Sequence, residues 1–279
     1  MKKVIVFDID GTLIDLNYKV TQDVNLIKKS IKEAQDQGYI VSLSSGTPLP
    51  SIKKWADLFG IEGMSFCEKG AFVFQDNEIK FINEELDNLI FQKVKHKIID
   101  YLIDSPMVQS GEMQLIIGDV NKNANGLLTN IIELENGIKS VVLINGMRMA
   151  SLSMFVFSRD TNGMWLKDYT LMQDMIDLAA QFFSKDFSLE IDFNKEMGII
   201  IWEHKNVSKK NTLHYIKEKY PDATVYMVGN SLPDYLDDPS VIQCGVANSD
   251  SDYKDKCTIV SDSNFTEGSL EILQKIINS

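Results

Sequence analysis

Cysteine, histidine and long apolar runs are all scarce in this chain of 279 residues. Its three cysteines, Cys67, Cys244 and Cys257, share no metal-ligand spacing and form no disulfide framework. Cys67 and Cys244 stand in apolar stretches and read as buried thiols. The three histidines, His96, His204 and His214, fall into no metal or nucleophile constellation. No stretch approaches the ~20 apolar residues of a membrane span. Met1-Lys2-Lys3 leads directly into a strand, with no apolar leader. The reading is a cytoplasmic chain. Basic residues are also outnumbered, 28 against 40 acidic, so 28 − 40 = −12. Such a surface repels nucleic acid and anionic membranes, although a local cluster can reverse the field in one cleft and admit a small anion. Repeats and low-complexity tracts are lacking too. Monomer and homodimer are both compatible with this composition.

What is present is a core and a pattern. Hydrophobic content of 44% is enough for a real core, and the length suits one large domain or two of moderate size. The first part alternates strand and helix. Thr21 is placed to cap a helix carrying Val24, Ile27, Ile31 and Ala34, with Gly38 just beyond its end. Strands are expected at Tyr39 to Leu43 and Met64 to Cys67, then a hairpin across Asp76-Asn77. After about Asn83 the character changes. A long helix carries Leu86, Leu89, Ile90, Val94, Ile98 and Leu102. Asn-Gly pairs recur at residues 125–126, 136–137, 145–146 and 162–163, and those at 136 and 145 are the better hairpin signals. Strands near 114–117, 141–144, 152–157, 187–193 and 198–202, with a helix through Leu171, Met175, Leu178, Ala179 and Phe182, predict an α+β unit of antiparallel hairpins. From about His204 the alternation resumes. The predicted organisation is a parallel-sheet α/β domain, residues 1–83 and 204–279, interrupted by an α+β domain, residues 84–203.

Three turns follow predicted parallel strands: Asp8 to Thr12, Ser44 to Thr47 and Gly229 to Asp234. Ligands of open α/β sheets bind outside the carboxyl ends of the strands, so these turns should converge. The first is the most telling. Val4-Ile5-Val6-Phe7 reads as a strand buried on both faces. It delivers Asp8 and Asp10 into a turn at Gly11, and residues i and i+2 of an extended chain face the same way. One such carboxylate can attack while the other, held protonated, serves a leaving group. Two nearby acids also attract a divalent cation.

Asp8-Ile9-Asp10-Gly11-Thr12-Leu13 resembles the first motif, DxDGT, of the haloacid dehalogenase (HAD) superfamily of phosphotransferases. Ser45-Gly46-Thr47-Pro48 resembles its second motif, with Thr47 where arginine is frequent. Val207-Ser208-Lys209-Lys210-Asn211-Thr212-Leu213 resembles the third, and Lys209 aligns with the motif lysine. Gly229-Asn230-Ser231-Leu232-Pro233-Asp234 resembles the fourth, with Asn230 in place of a metal-binding Asp. Glu68-Lys69-Gly70-Ala71 and Gly245-Val246-Ala247-Asn248-Ser249 resemble stretches of the Cof-like branch. The resemblance implies a Rossmann-like parallel-sheet HAD core with an inserted α+β C2-type cap.

For chemistry, the resemblance implies a phosphatase acting on a small phosphorylated metabolite, with a sugar phosphate as the expected substrate. Asp8 is the implied nucleophile, Asp10 the acid and base, and Lys209 the charge-neutralising cation. Gly11, Thr12, Ser45, Gly46 and Lys209 would bind the phosphate. Asp8, Asp10, Asn230 and Asp234 would hold Mg²⁺, with Asp234 either on the metal's waters or orienting Lys209. Asn230 brings one charge fewer than Asp and should weaken that affinity. It also motivates an impaired, binding-only reading, while the shared core keeps a phosphomannomutase-type mutase in play. Arg148, Arg159 and Lys167 read as ordinary solvated cations, and Met147, Met149, Met154 and Trp165 as core. Asp237 and Asp238 read as surface acids.

Overall fold

The computed structural model describes residues 2–82, 88–118, 134, 137–182, 189–194 and 198–279. In chain order the first elements are β1 (Lys3–Phe7), α1 (Val24–Asp36), β2 (Ile40–Ser44), α2 (Leu49–Phe59), β3 (Ser65–Cys67), β4 (Phe72–Gln75) and β5 (Glu78–Phe81). Next come α3 (Asn88–Ile103), α4 (Pro106–Gln109), β6 (Met113–Gly118), β7 (Ser140–Asn145), β8 (Ser151–Arg159), β9 (Trp165–Lys167), α5 (Tyr169–Phe182), β10 (Leu189–Asn194) and β11 (Ile199–His204). The last are α6 (Lys210–Lys219), β12 (Thr224–Gly229), β13 (Val241–Gly245), α7 (Ser251–Lys254), β14 (Ile259–Val260) and α8 (Phe265–Ile277). The chain divides into two compact units, Met1–Glu84 with Val207–Ser279, and Glu85–Asn206. Among the described residues no helix is long and apolar enough to cross a membrane.

The first unit is built on one sheet in the order β14-β13-β12-β1-β2-β3-β4-β5. Strands β14 to β3 are parallel, and β4 and β5 are antiparallel. Val4, Ile5 and Val6 have no exposed surface, as expected for a central strand covered on both faces. The chain leaves β1 towards β2 and returns on the other side at β12, so the strand order reverses at β1. That reversal opens a crevice at the carboxyl ends of β1, β2 and β12. The Asp76-Asn77 hairpin forms between β4 and β5, with both residues left-handed (φ 53° and 63°) as a type I′ turn needs. The α1 cap differs from expectation. Asp23 caps it, accepting from the Asn25 N–H at 2.8 Å. The Thr21 N–H is instead tied to Thr266 Oγ1 at 3.1 Å, which holds that residue to α8.

The second unit carries the sheet β10-β11-β8-β7-β6, with β9 paired to β8. Its core joins Ile98, Leu102, Val142, Met154, Met172 and Trp202. Strands β6 and β7 run parallel, so they are not the two arms of one hairpin. A parallel pair needs a crossover of a dozen or more residues, and the stretch between these two strands is long enough for one. Leu86, Asn125-Gly126, Asn136 and residues 187–188 lie outside the described residues. Met147 is 39% exposed rather than core, because its N–H closes a turn on Asn145 Oδ1 at 3.0 Å.

Candidate active site

Asp8 sits at the end of β1, its N–H bonded to the Val228 carbonyl of β12 at 2.8 Å. Asp8 is 6% exposed, Lys209 7% and Asp234 1%. Lys209 Nζ donates to Asp8 Oδ1 at 2.5 Å and also to Asp234 Oδ1. Lys209 stands at the start of α6, a position set from outside the helix. Thr212 Oγ1 meets Ser44 Oγ of β2 at 3.0 Å. The Ser208 carbonyl lies against Gly70, where a Cβ would come within 3.0 Å of it at a left-handed φ of +83°.

Asp234 closes a tight turn after β12. Its Oδ2 accepts from the Asn230 N–H at 2.9 Å, the Ser231 N–H at 3.1 Å and Ser231 Oγ at 3.3 Å. Both its oxygens are thus engaged, and the carboxylate holds Lys209 in place. Gly229 is what lets the turn close. A Cβ there would lie 2.4 Å from Asp234 Cβ, Cγ and Oδ2. Asp234 cannot retreat without breaking its ion pair, so Gly229→Ala is expected to cost about 1–3 kcal/mol. Denaturant unfolding of the variant measures this, and an unchanged midpoint would mean that the turn can relax.

Two carboxylates and one ammonium leave this buried trio one negative charge in excess. Burial pushes the Asp8 carboxyl up to about 7, Lys209 opposes that, and Asp234 and Asp10 add to it. For Lys209, burial alone would lower the pKa, but Asp234 and then Asp8 outweigh it and hold the ammonium above its ordinary range. Asp234 has three further donors on its Oδ2.

The rest of the first turn is pinned at long range. Thr12 Oγ1 lies 3.3 Å from Asp8 Oδ2 and 3.2 Å from Asn230 Oδ1. A hydroxyl has one proton, so the two acceptors share it. Gly11 is left-handed (φ +81°), and a Cβ there would meet Asn230 Nδ2 at 2.8 Å. Asn248 Nδ2 donates to the Gly11 carbonyl at 2.8 Å, Ser269 Oγ to that of Thr12 at 2.9 Å and Thr266 Oγ1 to that of Leu13 at 2.7 Å. In the second turn, Thr47 Oγ1 donates to Asp10 Oδ2 at 3.0 Å, with Ser45 Oγ 3.4 Å from the same atom. The Gly46 N–H finds no acceptor among the described residues.

The structure therefore brings Asp8, Asp10, Gly11, Thr12, Ser45, Asn230, Asp234 and Lys209 together at one end of the sheet, with Gly46 in the adjoining turn. A residue-by-residue reading of the chain missed the tethering by Asn248, Thr266 and Ser269 and the bond from Thr47. Asp237 and Asp238 stay local, accepting from Tyr235 and Ser240. In the second unit, Arg148 donates to Ser151 Oγ and Arg159 to the Leu134 carbonyl while stacking on Trp165. Among the described residues there is no cluster of three or more His, Cys, Asp or Glu built to hold a metal ion.

The profile of the haloacid dehalogenase-like hydrolases matches residues 5–273. The chain belongs to that family. Among known proteins, this haloacid dehalogenase-like chain is 34% identical over 101 residues to a phosphoglycolate phosphatase of Thermoplasma volcanium. It is 29% identical over 100 residues to one of Sulfolobus acidocaldarius. Each match covers 35% of the chain, and 43% and 42% of those relatives, so it spans less than half their length. Among solved structures, a haloacid dehalogenase-like hydrolase from Bacteroides thetaiotaomicron superposes with TM-score 0.63 at 15% identity, over 99% of this chain and all of that one. A protein from Thermoplasma acidophilum gives TM-score 0.61 at 19% identity, with both chains fully covered. These likenesses establish the fold: a haloacid dehalogenase-like α/β core around a parallel sheet.

Proposed function

We propose that this chain is a Mg²⁺-dependent phosphatase that hydrolyses a small phosphorylated metabolite of the sugar-phosphate class through an aspartyl-phosphate on Asp8. The observation that carries the reading is the buried Asp8–Lys209–Asp234 trio beside Asp10, at the switch point of a parallel sheet. A buried carboxylate held by one lysine, with a second acid two residues on, suits nucleophilic attack and proton transfer at one centre. Both curated relatives carry phosphatase names, which supports the reaction class. The second unit is assigned as the cap that selects the leaving group.

Asp8 attacks phosphorus while Asp10 gives its proton to the departing alkoxide. The phosphorus–leaving-group bond breaks as the Asp8 acyl phosphate forms. Asp10, now a carboxylate, takes a proton from water, and the resulting hydroxide releases inorganic phosphate from Asp8. Lys209 offsets the repulsion between two anions in a buried site. The Gly46 N–H and the Ser45 hydroxyl receive phosphoryl oxygens.

The residues fit Mg²⁺. Asp8 Oδ2 and Asn230 Oδ1 converge on the one Thr12 hydroxyl, and neither contact is short. Two hard oxygens so placed would hold Mg²⁺, which takes few protein carboxylates and fills its remaining positions with water and phosphate. Asp234 is assigned to Lys209 rather than to the metal. Bound Mg²⁺ would supply charge neutralisation at the phosphoryl oxygens. Asn230→Asp adds a ligand charge and is expected to tighten Mg²⁺ binding about tenfold. Calorimetric titration of the protein with Mg²⁺ alone measures this, and unchanged affinity would remove Asn230 from the ligand set.

The deciding experiment is phosphate release from sugar phosphates, phosphoglycolate and an aryl phosphate, with Mg²⁺ and with chelator. Turnover that requires Mg²⁺ and Asp8 supports the reading. Isomeric phosphate without free phosphate would point to a mutase. A folded protein that binds phosphate esters without turnover would point to a binding module.

A further inference from the structure

Thr47 stands where the family frequently has arginine, and read from sequence alone that is a lost cation. The geometry points to a different role: Thr47 is the positioning residue that aims the Asp10 carboxyl, leaving Ser45 free for phosphate. The inference rests on the proposed acid–base role of Asp10 and extends it.

The argument is a count of protons. Each hydroxyl has one to give. Asp10 Oδ2 has Thr47 Oγ1 at 3.0 Å and Ser45 Oγ at 3.4 Å, while the two hydroxyls are 2.8 Å apart. Hydroxyl bonds cluster at 2.5–3.0 Å, so 2.8 and 3.0 Å are bonds and 3.4 Å is marginal. The consistent arrangement is a relay in which Ser45 donates to Thr47 and Thr47 donates to Asp10. Links of such a relay strengthen one another. When phosphate arrives, Ser45 can turn its proton to a phosphoryl oxygen without releasing Asp10.

Thr47 is itself held from four sides. Its N–H donates to Ser45 Oγ at 3.2 Å, and its carbonyl accepts from the Glu68 N–H at 3.2 Å. Pro48 restricts the backbone of the residue before it. The β-branch restricts χ1. A hydroxyl so fixed can set the rotation of the carboxyl it touches, and proton transfer depends on that alignment. An arginine at this position would add charge next to Asp10, whereas threonine adds none.

The test separates aim from structure by leaving group. An alkyl leaving group needs the acid's proton, and a good aryl leaving group needs it far less. Wild type, Thr47→Val, Thr47→Ser and Asp10→Asn are compared on a sugar phosphate and on p-nitrophenyl phosphate, with melting temperatures as a folding check. Thr47→Val is expected to lower kcat on the sugar phosphate by about 10–100-fold, within what general acid catalysis contributes, and to lower aryl turnover much less. Thr47→Ser, which keeps the hydroxyl, should restore most of the loss. An equal fall on both substrates, or a Ser variant as poor as the Val one, would overturn the role of Thr47. An Asp10→Asn variant with the wild-type substrate ratio would instead overturn the acid assignment, and Thr47 with it. Wild type without turnover on any ester would remove the phosphatase reading.

Discussion

Asp8→Asn is expected to abolish turnover and, in the metal-free protein at pH 8, to raise the melting temperature. The first effect is chemical. An amide has no carboxylate to attack phosphorus, and loss of a nucleophile typically costs about 10⁴-fold or more. The second follows from charge. The trio of Asp8, Lys209 and Asp234 is buried with one negative charge in excess. Replacing Asp8 by its neutral isostere leaves a balanced Lys209–Asp234 pair. The pH dependence fixes the sign. In the unfolded chain a carboxyl ionises near pH 4, whereas burial holds the Asp8 proton in the fold up to about 7. Between those values the native chain binds more protons, so stability falls as pH rises through that window. Below it both states are protonated and Asp8 contributes nothing. Above it the full penalty stands. The variant should therefore match wild type near pH 4 and exceed it increasingly up to pH 7, by about 3 °C or more at pH 8. Melting curves in chelator across that range test it. A variant less stable than wild type at pH 8 would show that Lys209 fully compensates the charge of Asp8.

The legibility of this site from sequence follows the range of each interaction. Asp8, Asp10 and Gly11 were readable because strand, acids and turn are contiguous. Convergence of the three turns was readable because it needs only strand order. In the sequence Lys205 and Lys210 stand close to Lys209, whereas in the fold Lys209 lies between the two buried carboxylates. What escaped depends on side chains far apart in the chain. The bonds that tie the first turn to Asn248, Thr266 and Ser269 span 237, 253 and 257 residues. Thr47 looked like a deletion of charge because its partner, Asp10, lies 37 residues away. The sequence leaves Asp234 two roles, and its bonds to Lys209 and to the turn after β12 are visible only in the fold. In the second unit the alternation of apolar residues found β6 and β7 but not their parallel pairing, since period two carries no direction.

Lys209→Met is expected to be the most damaging substitution in the site for stability, and to lower turnover as well. The methionine fills similar volume, so the change is almost wholly one of charge. It leaves Asp8 and Asp234 buried at 6% and 1% exposure with no cation between them. Breaking a buried pair by removing one partner typically costs about 3–5 kcal/mol. Turnover should fall by about 10²–10³-fold at least, the usual cost of losing one electrostatic stabiliser of the transition state. The penalty is not constant in pH. Without the ammonium, nothing opposes the burial and carboxylate repulsion that raise the Asp8 pKa, so the native state gathers a proton that the unfolded chain has already released. Stability of the variant therefore falls more steeply than that of wild type as pH rises above about 4. The double variant Asp8→Asn/Lys209→Met separates charge from packing. If charge is the cause, neutralising Asp8 returns part of the lost stability, and the two single effects fail to add. Additive effects in that cycle would mean that Lys209 acts through its packed methylene stem instead. Lys209→Arg should not rescue either property, because a planar five-donor fork cannot replace a point charge held between two oxygens in a closed site.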